Sequence, residues 1–395
     1  MENMVPYEEI QTRVKNLQKI LVEKERNGAL LLLNSDIFYF AGTVQSSFLF
    51  IPAEGEPVLM IRRGLMRAQQ ECGFKQIVAV KSPKDIPAVL AQYGCKTEKL
   101  GMELDVLPVM LYKTYQKMFG EAEITDISSA IKEIRSVKSA YEIDILRSAM
   151  QVMAQAFETV PSLLKENMAE IELAALFEAE LRKRGYSGSA KMRSFNQELF
   201  YGNVCAGPSG ACTGFFDGPV GGSGVSVSNP QGAGWRKIQR NEPVYIDYTC
   251  VIQGYNGDQT RMFCIGEMPE KFAKGLKDML LLQKELLQMM KPGVPAEDVY
   301  TYALALAEKM GYKDHFMGYK ENQVRFVGHG IGIELDEWPV FAKGMKQQLV
   351  PGMTFALEPK LVFADGAVGI ENSFVMTEQG PEYLYYSPEE TICLK

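Results

Sequence analysis

Along the first ~130 residues two kinds of stretch alternate. "QTRVKNLQKILVEK", residues 11 to 24, carries apolar side chains at helical spacing, whereas "GALLLLN", residues 28 to 34, is too short and too continuously apolar for anything but a buried strand. That alternation predicts an α/β domain. In "SSAIKEIRSVKSAYEIDILRSAMQVMAQAFETV", residues 128 to 160, Ser139 followed three residues later by Glu142 is a capping-box signature for the start of a long helix. The boundary is expected just before this helix, dividing the chain into 1–133 and 134–395. Further helices are predicted in "AEIELAALFEAELRKRG", ended by Gly185, in "EKFAKGLKDMLLLQKELLQMMKPG" and in "PAEDVYTYALALAEKMG", with strand hairpins between them. Met279, Leu282 and Leu286 form an apolar stripe expected to face the core.

Composition narrows the function classes. A chain of 395 residues with 46% hydrophobic and 23% charged residues is long enough for two ordinary globular domains. The net charge of −7, without any run of Lys or Arg, argues against nucleic acid as a partner. Seven cysteines without CxxC spacing suit free thiols in a reducing compartment, so the cytoplasm is the expected location. The most apolar stretch, "ALLLLNSDIFYFAG", is broken by Asn34, Ser35 and Asp36 well short of a membrane span, and no membrane partner is expected.

Candidate chemistry sits in two hairpins. "EPVYIDYTCVIQGYNGDQTRMF", residues 242 to 263, flanks a turn-rich centre with Asp247 and Asp258; a turn centred between residues 252 and 253 puts the two carboxylates directly opposite each other. "TFALEPKLVFADGAVGIENSFVMT", residues 354 to 377, flanks Asp365-Gly366 with Glu358 and Glu371, which that dipeptide as the turn makes diagonal neighbours on one face. Opposed like charges are unfavourable, and burying them unpaired is far worse, so a cation is expected between them. A solvated hairpin, or an acid paired with Arg261, is the alternative. Between the hairpins "FVGHGIGIELDEWP" holds His329, one of only two histidines, between two glycines that permit close backbone approach. Carboxylate-rich sites with one imidazole and no thiolate favour two divalent ions such as Mn, Co, Zn or Fe over a closed structural zinc.

The order Asp247, Asp258, His329, Glu358, Glu371, with "DYT", "YNGDQTR", "GHGIG", "LEP" and "GIENSFVMT" around them, resembles the pita-bread metallopeptidases of M24 type: prolidase, Xaa-Pro aminopeptidase and methionine aminopeptidase, with creatinase on the same fold. The N-terminal third looks like the creatinase-type domain. The resemblance implies an α/β creatinase-like N-terminal domain, then an α+β pita-bread catalytic domain with helices around a curved antiparallel sheet. It implies a dinuclear-metal hydrolase acting on short peptides with proline at the second position through a water bridging the ions, and a homodimer. Asp247 would bind one ion, Asp258 and Glu371 would bridge, and His329 and Glu358 would complete the other shell, with Glu358 also moving the proton.

The departures matter. Peptidases of this family add two histidines that are not ligands; the positions fall here on Pro230 or Gln231 and on Asp336. Losing one such donor commonly costs ~10²–10³-fold in rate. The remaining His315 matches no family motif and reads as surface or structural. The glycine-rich stretch from 200 to 235 lacks a P-loop ending and instead offers Phe200, Tyr201, Phe215, Phe216 and Trp235 as pocket walls, with Asn203 and Tyr201 as neutral donors. Asp336 would favour a cationic substrate group. A non-peptidase enzyme acting on a small non-peptide substrate on the same scaffold is the competing expectation; a silent binding protein would have shed its ligands.

Overall fold

Short apolar runs in the N-terminal part become the strands of one mixed sheet. These are β1 (Gly28–Leu31), β2 (Ser46–Pro52), β3 (Val58–Arg63), β4 (Gln76–Ala79), β5 (Lys99–Met102) and β6 (Glu123–Asp126), in the order β4-β3-β2-β1-β5-β6. The middle pairs are antiparallel and the outer ones parallel, as helical crossovers require. The helix Tyr7–Glu23 buries Ile10, Val14, Leu17 and Leu21, the stripe that its spacing predicts. The computed structural model describes residues 4–188, 190–197 and 201–395. The chain separates into two units, Met1–Arg135 and Ser136–Lys395.

The second unit begins with the helix Ala140–Phe157. Its capping box is present: the Ser139 hydroxyl accepts the Glu142 N–H at 3.3 Å, and the Glu142 carboxylate accepts the Ser139 N–H at 3.1 Å. Helices Glu170–Lys183, Glu270–Met289 and Ala296–Lys309 follow where the periodicity puts them, and Met279, Leu282 and Leu286 are fully buried. The strands are β7 (Gly202–Ala206), β8 (Val244–Ile252), β9 (Tyr255–Ile265), β10 (Phe326–Gly330), β11 (Glu337–Ala342), β12 (Thr354–Leu357), β13 (Lys360–Phe363), β14 (Gly366–Gly369), β15 (Asn372–Thr377), β16 (Gly380–Tyr383) and β17 (Ile392–Leu394). They form a four-stranded sheet β17-β9-β8-β7, a five-stranded sheet β11-β10-β12-β15-β16, and the pair β13-β14. Among the described residues no helix is long and apolar enough to cross a membrane.

Both hairpin registers differ from expectation, in opposite senses. The first turn is Gln253-Gly254, both with positive φ (48° and 87°), so Asp247 pairs with Thr260 and Thr249 with Asp258. The two aspartates are therefore diagonal neighbours, not partners. The turn-like Asn256 and Gly257 are ladder residues with other tasks. The Asn256 carboxamide donates to the carbonyls of Gly332 and Ile333, and a Cβ at Gly257 would crowd Met150. The second turn is Ala364-Asp365, with Phe363 opposite Gly366. Gly366 belongs to the ladder because a side chain there would meet Phe272 and Pro243. The same register runs through Leu357–Asn372 and Lys360–Gly369, which sets Glu358 across from Glu371 rather than diagonal to it. Moving a turn centre by one residue shifts pairing by two, so the acids stay on the predicted faces.

Replacing Ser139 by Ala removes one arm of the capping box and is expected to lower the stability of the second unit by about 1 kcal/mol. Chemical denaturation checks it: an unchanged midpoint would contradict a working cap.

Candidate metal centre

Strand pairing builds the site. His329 on β10 pairs with Ala356 on β12, and Glu358 lies two residues further along the same chain, beyond the end of β12. Glu371 faces Glu358 across the break before β15. An isolated bridge then ties Glu371 to Thr260 of β9, whose ladder partner is Asp247 and whose neighbour two residues back is Asp258. Five side chains from five separate stretches thus meet where the two sheets touch. Glycines permit the approach: a Cβ on Gly328 would overlap the Ala356 carbonyl, and one on Gly330 the Trp338 carbonyl.

Asp258, Glu358, Glu371 and His329 are all buried, while Asp247 is half-buried. The ligand atoms of Asp258, His329 and Glu371 lie within 4.8 Å of one another. His329 Nδ1 is 3.1 Å from the Leu335 carbonyl and 3.2 Å from that of Gly330, so Nδ1 carries the proton and Nε2 presents its lone pair to the carboxylates. Nε2 stands 3.5 Å from Glu358 Oε1, 3.7 Å from Asp258 Oδ2 and 4.0 Å from Glu371 Oε1. An imidazole lone pair facing three carboxylate oxygens is a donor set suited to a divalent ion of the Mn, Fe, Co or Zn group.

Lys360 is the residue that motif reading missed. Its Nζ is 2.7 Å from Glu358 Oε2, 3.0 Å from Asp247 Oδ2 and 3.0 Å from Glu371 Oε2, and its side chain is 2% exposed. A period-2 reading of "EPKLVF" held the signal, since residue 360 shares a face with Glu358 in an otherwise apolar run. Burial alone would lower the lysine pKa, but Asp247, Glu358 and Glu371 outweigh it and hold the ammonium well above the usual lysine range. Burial pushes Glu371 up to about 8 despite Lys360, with Glu358 and Asp247 adding to the rise. Asp258 is likewise raised well above the carboxylate range by burial, then by Glu371 and Asp247.

Of the expected pocket residues, Asn203, Phe216 and Asp336 line the cavity over these groups, beside Asp217, Val220 and Phe326. Asn203 pairs with Asp247 in the β7–β8 ladder and donates to the Val220 carbonyl. Asp336 Oδ1 is 3.4 Å from His329 Nδ1. Three expected wall residues are elsewhere. The Tyr201 ring packs edge-on against Tyr186 and borders a separate depression with Glu178 and Arg182. Trp235 is 69% exposed, its indole N–H donating to the Val225 carbonyl, because the loop turns it outward. Phe215 is also exposed, and Phe200 lies outside the described residues. His315 is structural: Nδ1 meets the Val362 carbonyl at 2.9 Å and the ring packs on Phe363 and Tyr319. Gln231 is buried beside Asn203 and does not reach the cavity. Arg261 pairs with none of the five groups; its guanidinium donates to the carbonyls of Thr260 and Glu371 and to Asn372 and Ser387.

The model of metallopeptidase family M24 matches residues 144–378, and that of the creatinase/prolidase N-terminal domain matches residues 13–137. An Xaa-Pro dipeptidase of Pyrococcus furiosus is 25% identical over 96% of this chain and 99% of its own length. Among solved structures, an Xaa-Pro dipeptidase from Bacillus anthracis superposes with a TM-score of 0.83 at 24% identity, covering 98% of this chain and 100% of its own. An X-Pro aminopeptidase from Thermotoga maritima gives 0.81 at 23%, covering 96% and 99%.

Because Glu371 holds its proton up to about pH 8 in the metal-free protein, an ion that uses it must displace that proton. Mn²⁺ affinity of stripped protein is expected to rise with pH toward that value, each ion releasing protons to the buffer. Calorimetric titration in buffers of different ionisation enthalpy measures both. Affinity independent of pH below 8 would contradict a protonated Glu371.

Proposed function

Since the chain belongs to metallopeptidase family M24, whose members are metal-dependent hydrolases, we propose that it hydrolyses short peptides carrying proline at the second position, as an Xaa-Pro dipeptidase or aminopeptidase does. What carries the reading is the convergence of Asp258, His329, Glu358 and Glu371 in one buried cavity. These are the residues that would hold a cation. When bound there, a divalent ion lowers the pKa of water toward neutrality and polarises a carbonyl. Oxygen-rich donors with one imidazole favour Mn, Co, Zn or Fe. The two-ion arrangement implied by the family resemblance needs Asp247 as a further ligand, and in this chain Asp247 is already bonded to Lys360.

The protein's own groups have the following tasks. Glu358 is placed to take a proton from the attacking water and return it to the departing nitrogen, with Oε1 on the His329 side and Oε2 fixed by Lys360. His329 keeps its orientation by donating from Nδ1 to the Leu335 carbonyl. Asn203 and Phe216 border the approach. Asp217 and Asp336 put negative charge on the cavity wall, which suits the protonated amino end of a short peptide. Seven free cysteines suit the cytoplasm, and a homodimer is the assembly proposed.

One observation favours a second reading, an enzyme on the same scaffold acting on a small non-peptide substrate. Asp336 stands beside His329 where the family's peptidases carry an imidazole donor, and a carboxylate cannot donate to a tetrahedral oxyanion.

A panel of Xaa-Pro dipeptides and longer Xaa-Pro peptides separates the two. Cleavage that stops with chelator and returns with Mn²⁺ or Co²⁺ is expected, and Asp258→Ala is expected to lose metal uptake and turnover together. No cleavage of any member by metal-loaded enzyme would favour the second reading. Full activity in a metal-free Asp258→Ala protein would end both.

A further inference from the structure

The glutamates at the centre of the site face two ways. Glu358 and Glu371 each turn Oε1 toward His329 Nε2 and Oε2 toward Lys360 Nζ. They therefore frame two cation positions. One is bounded by Asp258, His329 and the Oε1 atoms; the other, bounded by Asp247 Oδ2 and the two Oε2 atoms, contains an ammonium group. We propose that Lys360 is a built-in cation which permanently takes one of these positions, so that the protein binds one divalent ion per chain instead of two.

Three independent features support this. The ammonium makes three charge-assisted contacts of 2.7 to 3.0 Å, one to each carboxylate around it, and its side chain is 2% exposed, so it is a buried part of the site rather than a solvated chain lying across it. Two of the oxygens it touches are also committed elsewhere. Asp247 Oδ2 accepts the Tyr245 hydroxyl at 2.6 Å, and Glu371 Oε2 accepts the Thr260 hydroxyl at 2.9 Å. A carboxylate oxygen offers about two lone-pair directions, and on both atoms these are taken. Lastly, the ladder makes room for the lysine: Gly369 stands opposite, and a Cβ there would overlap Lys360 Cγ and Cα.

A metal–metal pair needs ions about 3.5–4 Å apart sharing carboxylate bridges. An ammonium in one position still neutralises a charge and still orients both glutamates. It cannot act as a Lewis acid. It can donate hydrogen bonds, and so it can support negative charge that develops near Glu358. The work of the site is thereby divided between one exchangeable ion and one fixed group.

The inference rests on the reading that Asp258, His329, Glu358 and Glu371 hold an ion, and metal counting tests it without reference to substrate. Purified protein, stripped and then dialysed against excess Mn²⁺, is expected to retain one ion per chain and to give the paramagnetic resonance spectrum of an isolated Mn²⁺. Lys360→Gly is expected to retain two, with the spectrum of a coupled pair, and Lys360→Arg one. Two ions in the unaltered protein would overturn the inference and leave the hydrolase reading standing. One ion in a folded Lys360→Gly variant would overturn it as well, since the lysine would not be what excludes the second. No ion in the unaltered protein would sink both readings. If Lys360→Gly does not fold, the count and spectrum of the unaltered protein still decide.

Discussion

Four carboxyl groups and an imidazole packed this closely are costly to ionise together, and Lys360 supplies a positive charge among them. Its position explains how this part of the molecule folds before any ion arrives. The strand break between β12 and β13 would otherwise set Glu358 against Glu371 with nothing between them. Taking away one partner of a buried ion pair typically costs about 3–5 kcal/mol, because the other is left buried and unpaired. Here one ammonium serves three carboxylates, which makes it the common support of both hairpins.

Around this centre the backbone is held by further side chains. Where β12 and β15 break, peptide groups lose their ladder partners, and side chains replace them. The Gln283 carboxamide donates to the Leu357 carbonyl, and Arg261 donates to the Glu371 carbonyl. Asn372 joins the two by donating to Gln283 and accepting from Arg261. The arginine next to the acids thus serves as a brace between β9 and the segment before β15, and the carboxylates stay free to face inward. This rigidity suits a centre whose ligand oxygens must not relax apart when a cation leaves.

Asp247 and Glu371 each present one oxygen already bonded to a hydroxyl and to the ammonium, and Asp258 with His329 completes a separate face. A protein with a fixed charge in one position depends on the supply of a single metal ion, and its electrophilic power is correspondingly smaller. Asp336 beside His329 adds a further acidic group to the cavity wall.

Much of this was legible along the chain. Helices, the capping box of Ser139 and Glu142, and the faces of the acids follow from spacings of 3.6 and 2 residues, which are local properties of the backbone. The five clustered groups were legible too, because their residue types and order resemble a known family. Register was not: the turn expected between residues 252 and 253 lies one residue later, at Gln253-Gly254, where Asn256 and Gly257 meet Gly332, Ile333 and Met150, all distant in sequence. Nor could composition show that Tyr201 and Trp235 lie away from the cavity while Phe216 borders it, since the loop carrying them is positioned by long-range packing. Lys360 marks the division most sharply. The sequence by itself determined that it shares a face with Glu358; only the tertiary fold, which brings Asp247 of β8 and Glu371 before β15 to it, decided that its charge would end among three carboxylates, because electrostatic attraction at these distances exists only once the strands have met.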